Sequence, residues 1–208
     1  MFIVSLKKSV IITYIGVIFG VFAMVFAFTK MAFVEEEYIR YSLICLIFAG
    51  ICDMFDGKIA RMCKRTDQEK EFGIQIDSLA DTVNFVVLPV VIMLALGVVS
   101  PLATIVYILF IGCGISRLAL FNCNADADGP VKFYNGLPVT SVAIIYPLLG
   151  LLHGRISDYI FNNVYLAATA IIAFLFIANI KIPKMKHFSW YIILPIIGVI
   201  VSIILLVV

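Results

Sequence analysis

Long stretches of this chain carry no formal charge. Ser9–Thr29, Thr82–Ser116, Phe133–Gly154, Tyr159–Ile180 and Phe188–Val208 are uncharged, and a shorter run, Tyr41–Cys52, is bounded by Arg40 and Asp53. A helix that crosses a bilayer needs about 20 mostly apolar residues, because no water is available there for backbone groups or charges. Composition points the same way. Of 208 residues, 63% are hydrophobic and 13% charged, whereas a soluble domain is about 45–50% apolar and about 25% charged. A disordered chain, a disulfide-stapled mini-protein and an ordinary cytosolic enzyme are thereby excluded. The expectation is an all-α, polytopic membrane helical bundle forming a single domain over residues 1–208.

The longest run is broken by Gly97-Val98-Val99-Ser100-Pro101, a tight-turn sequence. Seven helices are expected, at about 9–29, 38–62, 74–97, 101–121, 137–153, 159–180 and 188–207. Pro138 and Pro147 weaken the fifth. The first lacks a small-residue cleavage site and reads as a retained span, not a signal peptide. Lys and Arg placement sets the orientation. With the N-terminus inside, only Lys30, Arg40 and Arg155 fall outside, and the other twelve of fifteen basic residues lie at the cytoplasmic side. The expected location is the cell membrane, multi-pass.

A net charge of +2 without basic clusters argues against a nucleic-acid partner. The five cysteines contain no CxxC and read as small apolar residues. His153 and His187 are isolated and read as interfacial. Thr13 and Asn84, polar within spans, are expected to bond to neighbouring helices.

Asp53, Asp56, Asp77 and Asp81 are harder to place. An Asp at a helix centre costs about 2.5–3.5 kcal/mol on insertion scales. Thirteen residues separate Arg40 from Asp53, about 20 Å of helix, so both pairs approach the cytoplasmic end from two helices joined by one loop. Asp53, Asp56, Gly57 and Ala60 form one helical stripe, and Gly73, Asp77, Asp81 and Asn84 form another. If the stripes face each other, four carboxylates meet. Like charges that close resist ionising together, and hard divalent cations such as Mg²⁺ or Mn²⁺ resolve the conflict. Gly57 and Ala60 leave the stripe without bulk, so a flat group could press on the backbone. The bland alternative is a salt-bridge network with Lys58, Arg61, Lys64 and Arg65.

These residues read Asp53-x-x-Asp56-Gly57-x-x-Ala60-Arg61, then, after eleven residues, Gly73-x-x-x-Asp77-x-x-x-Asp81. The pattern resembles the signature of the CDP-alcohol phosphotransferase family. Within it, the chain is most similar to the membrane-integral phosphatidylserine synthases. That similarity rests on Asp77-Ser78-Leu79-Ala80-Asp81 continuing to Pro89, on Arg117-Leu118-Ala119-Leu120-Phe121-Asn122, and on Phe133-Tyr134-Asn135-Gly136-Leu137-Pro138. The chain departs from that branch in lacking a second Pro after Pro138 and in carrying Leu120 at an often basic position.

The resemblance implies a six-helix core, to which the seventh helix is an addition, and a homodimer among membrane lipids. It implies transfer of a phosphatidyl group from CDP-diacylglycerol to the hydroxyl of L-serine, with release of CMP. Asp53, Asp56 and Asp77 would be metal ligands, for two ions of Mg²⁺ or Mn²⁺. Asp81 would be the general base and a further metal ligand. Gly57, Ala60, Arg61 and Gly73 would meet the CDP-lipid. Arg117 would capture the serine carboxylate, snorkelling being its bland alternative, with Asn122, Ser78 and Lys132 as weaker candidates for that pocket. Two rivals stay open. One is a sibling enzyme taking glycerol 3-phosphate or an inositol phosphate. The other is a cation transporter, although transport sites usually lie nearer the midplane.

Overall fold

Helix ends in this chain are set by local chemistry, and the spans between them by apolar content. The computed structural model describes residues 10–125, 133–183 and 190–207. Helix α1 (Ile11–Phe33) stops where Val34 turns left-handed at φ 59° and its N–H closes on the Lys30 carbonyl. Helix α2 follows over Glu37–Met62. Helix α3 covers Asp67–Ala95, and its start is a capping box. The Glu69 N–H donates to Thr66 Oγ1 at 3.3 Å, and the Thr66 N–H donates back to Glu69 Oε2 at 3.0 Å. Helix α4 (Pro101–Ala125) opens with proline in its first turn, where no N–H is needed.

A 3₁₀ turn at Val139–Ser141 leads into α5 (Val142–Gly150), and α6 (Asp158–Ile177) and α7 (Trp190–Val207) complete the bundle. Between them, β1 (Phe133–Asn135) pairs antiparallel with β2 (Lys181–Pro183). Apart from this pairing the regular structure of the described residues is helical, and the seven expected helices are present.

Three departures from expectation bear on the site and its surroundings. Helix α3 begins at Asp67, not near 74, because a hydropathy run marks depth in a membrane while the Thr66 cap marks the helix end. Its middle, Thr82–Val87, is π-helical, which no periodicity argument anticipated. Helix α5 is shorter than 137–153, because Pro138 holds an extended backbone before it (ψ 138°).

Helix α1 lies along α2, and α4 lies along α6, while α2 also contacts α5 and α7. Small residues allow the close crossings. A Cβ on Gly50 would press on Ala143 of α5, and one on Gly198 of α7 would press on Ile47. A buried polar knot joins α3, α5 and α6. Tyr146 Oη and Thr169 Oγ1 are 2.8 Å apart, and Tyr165 Oη donates to the Tyr146 carbonyl at 2.6 Å. Among the described residues four helices, α1, α3, α4 and α6, are long and apolar enough to cross a membrane, and α1 exposes Phe22, Val25 and Phe28 as a lipid-facing side would. Helix α2 is interrupted by its own acids and bases.

The two ends of the bundle differ in chemistry. One gathers Lys30, Glu36 and His153, with Lys30 Nζ 3.5 Å and His153 Nε2 3.7 Å from the Glu36 carboxylate. Burial, opposed by Glu36, pushes the His153 imidazole below its ordinary value. The other end carries the aspartates.

Candidate active site and metal centre

Helix α2 supplies Asp53 and Asp56, and α3 supplies Asp77 and Asp81. The two stripes do face each other. One carboxylate oxygen from each of Asp53, Asp56 and Asp77 lies within 4.8 Å of the other two. Asp81 is within hydrogen-bonding reach of Asp53, as Asp77 is of Asp56. Asp56 and Asp81 are only 6% and 9% exposed, so water does little to separate these charges.

The salt-bridge alternative is not seen among the described residues. Among the described residues, none of the four aspartates pairs with a lysine or arginine. Their one uncharged side-chain donor is Thr13 of α1, whose Oγ1 donates to Asp56 Oδ2 at 3.1 Å. Buried acids need compensation. An all-carboxylate set with this spacing suits a hard divalent cation, so the residues present fit the metal that the resemblance implies.

Helix α1 takes part in a way the motif does not show. Thr13, Gly16 and Gly20 lie on one face of it. Thr13 reaches Asp56, and the two glycines receive the Asn84 side chain, which stands where a Gly20 Cβ would be. Asn84 belongs to the π-helical segment directly after Asp81. A π turn carries more residues than an α turn, so side chains beyond Asp81 drift off the carboxylate stripe. Asn84 accordingly packs on α1. Thr13 thus bonds to a neighbouring helix as expected, whereas Asn84 packs on α1 with its Oδ1 buried and without a hydrogen-bond partner among the described residues.

The small residues leave space. Among the described residues, beyond the helix's own backbone, the one atom within 4 Å of a Cβ built on Gly57 is Arg61 Nη1 at 3.7 Å, and the one near Gly73 is Arg65 Nη1 at 3.4 Å. Each glycine thus has one guanidinium above it. Arg61 is exposed, while Ala60 and Arg65 are half-buried. The position of Arg65 over Gly73 follows from the turn before Thr66, which residue spacing alone does not reveal.

The acceptor candidates divide into two groups. Ser78 Oγ donates to Asn122 Oδ1 at 2.9 Å, tying α3 to α4 one turn from Asp81. Arg117 sits elsewhere on α4. Gly114 packs on Val86 of α3, so Gly114, Leu118 and Asn122 form the α3-facing stripe, and Arg117 flanks it on the side of α6. There it lines a cavity of about 200 Å³ with Ser116 and Leu120, closed by residues 176–179 at the end of α6. Among the described residues no aspartate, and neither Ser78 nor Asn122, lines that cavity. Arg117 is 7% exposed, its guanidinium 5.8 Å above the Phe121 ring. Snorkelling would put the charged head in water; burial within the protein is the opposite. Lys132 lies outside the described residues.

The sequence profile of CDP-alcohol phosphatidyltransferases matches residues 9–208. The chain belongs to that family. Among curated proteins it is similar to the CDP-diacylglycerol–serine O-phosphatidyltransferase of Saccharomyces cerevisiae, 33% identical over 57% of this chain and 44% of that protein. The enzyme of the same name from Helicobacter pylori strain 26695 is 29% identical over 67% of this chain and 59% of the relative. That from Methanocaldococcus jannaschii is 35% identical over 69% and 63%. The match therefore spans about half the length of these relatives.

Proposed function

We propose that this protein transfers the phosphatidyl group of CDP-diacylglycerol to the hydroxyl of L-serine, giving phosphatidylserine and CMP. The observation that carries the reading is the convergence of the Asp53, Asp56 and Asp77 carboxylates, with Asp81 beside them, at one end of the bundle. The names of the relatives support serine as acceptor.

Asp53, Asp56 and Asp77 would hold the divalent ions, two of Mg²⁺ or Mn²⁺, with Asp81 able to share one. When bound, such ions neutralise the diphosphate and the departing CMP. The remaining work belongs to side chains. Gly57 and Ala60 leave α2 open for the cytidine and ribose. Arg61 offers its fork of donors to phosphate oxygens from above Gly57, and Gly73 leaves matching room on α3. Phosphoryl transfer depends mainly on positioning and charge, so Asp81 needs only to receive the serine hydroxyl proton. The serine oxygen then bonds to the phosphorus that carries the diacylglycerol, and the bond from that phosphorus to the CMP oxygen breaks. Arg117 holds the serine carboxylate. The acyl chains lie among membrane lipids beside the bundle.

Positive charge concentrated at the aspartate end supports a cytoplasmic active site, an internal N-terminus and residence in the cell membrane as a multi-pass protein. The exposed apolar face of α1 leaves room for a homodimer.

The test is an acceptor screen. Purified protein with CDP-diacylglycerol and Mn²⁺ or Mg²⁺ is offered labelled serine, glycerol 3-phosphate or inositol phosphate, and CMP release is followed. Serine-dependent CMP and labelled phosphatidylserine are expected. Turnover only with a phosphorylated acceptor refutes the serine assignment. ⁵⁴Mn uptake into vesicles without any lipid product refutes the enzyme reading.

A further inference from the structure

The stretch Phe133–Pro138 has a place in a resemblance but no chemical role so far. Its backbone has one. After β1 pairs with β2, the Gly136 N–H donates to the Ile180 carbonyl at 2.8 Å and the Leu137 N–H to the Leu175 carbonyl at 2.9 Å. Helix α6 ends at Ile177, and Ala178 is extended (ψ 133°). The last carbonyls of a helix have no partner within it. Here a segment remote in sequence caps one of them and braces the chain that follows.

Gly136 can do this because it has no side chain. Its φ is +80°, and a Cβ would stand 2.6 Å from the Phe176 carbonyl oxygen, 3.1 Å from that of Leu175 and 3.2 Å from that of Ala178. Three carbonyls converge on a buried glycine. The same turn of chain, 176–179, forms the wall of the cavity that Arg117 lines. The strap thus holds the same short backbone segment that walls the cavity. At about 200 Å³, the space is below the roughly 300–1,000 Å³ of drug-sized sites, so it suits a small polar molecule and not a nucleotide-linked lipid.

We propose that residues 133–137 are a strap that sets the shape of the acceptor cavity, with Gly136 as a positioning residue and Asn179 as a polar group lining the cavity together with Arg117 and Ser116. The ligand class is a small zwitterion: a guanidinium meets its carboxylate, and an amide carbonyl accepts from its ammonium group. This rests on the reading of Arg117 as the acceptor's carboxylate site.

The experiment measures KM for serine and for CDP-diacylglycerol, each with the other saturating, in wild type, Arg117→Ala, Asn179→Ala and Gly136→Ala, together with Mn²⁺ binding by electron paramagnetic resonance. Asn179→Ala and Gly136→Ala are each expected to raise the serine KM about tenfold, the upper end for one lost hydrogen bond. The lipid KM should stay within twofold and Mn²⁺ binding should not change. If Arg117→Ala raises the serine KM and the other two do not, the strap proposal is overturned and the Arg117 reading stands. If Arg117→Ala leaves it unchanged, the underlying reading fails. Equal rises in both KM values overturn the proposal by showing general damage. Should Gly136→Ala lose Mn²⁺ binding through misfolding, Asn179→Ala decides alone.

Discussion

Thr13→Val removes one hydroxyl from the heart of the site and little else. In the wild type, Thr13 Oγ1 donates to Asp56 Oδ2 at 3.1 Å, and both residues are buried, 7% and 6% exposed. Valine has nearly the same shape, so no cavity opens. A hydrogen bond to a charged group contributes about 1.5–3 kcal/mol. At 1.4 kcal/mol per tenfold, its loss should weaken Mn²⁺ binding by about 10- to 150-fold, in line with the roughly 10- to 100-fold effect of removing partners of metal ligands. Titration of the purified protein with Mn²⁺, following the free-ion resonance signal, measures this without any turnover. Thr13→Ser keeps the donor and should bind within about threefold of wild type by the same reasoning. Wild-type affinity in Thr13→Val, with the fold intact by thermal unfolding, would refute the idea that α1 orients a metal ligand.

Three further outcomes follow from the same geometry. Asp81→Asn should abolish CMP release while the protein stays folded and still binds Mn²⁺ through Asp53, Asp56 and Asp77; near-normal turnover would remove Asp81 as the base. Gly20→Ala puts a methyl group into the Asn84 side chain and should cost about 1–3 kcal/mol by overpacking; adding Asn84→Ala should recover part of that loss, and strict additivity in thermal unfolding would deny the contact. His153→Gln, at the opposite end of the bundle beside Glu36, should change neither the rate nor Mn²⁺ binding. Because burial holds that imidazole below its ordinary value, it is neutral at pH 7, and no pH step in activity between pH 7 and 8 should disappear with the substitution.

Much of the site was legible because its signals are local. The facing of Asp53 and Asp56 against Asp77 and Asp81 follows from helical period and one short loop. The seven helices follow from uncharged runs, since a bilayer permits few alternatives. What stayed hidden depends on partners distant in the chain or on backbone detail. Thr13 lies 43 residues from Asp56, and nothing in its neighbourhood names that partner. The π turn over Thr82–Val87 breaks the period that placed Asn84 with the acids. The Arg117 cavity needs the end of α6, brought there by a β1–β2 pairing only three residues long. The early start of α3 was different: Thr66-x-x-Glu69 is a readable cap, overshadowed by the hydropathy run that begins later.

The central claim is that these aspartates exist to hold divalent ions where a nucleotide-activated lipid is cleaved. Crystals grown with Mn²⁺ and recorded at the manganese absorption edge test it most directly. The account predicts anomalous density among the carboxylates of Asp53, Asp56 and Asp77, lost in Asp56→Asn. Manganese-dependent turnover with no density there, or density that persists unchanged in Asp56→Asn, would contradict it.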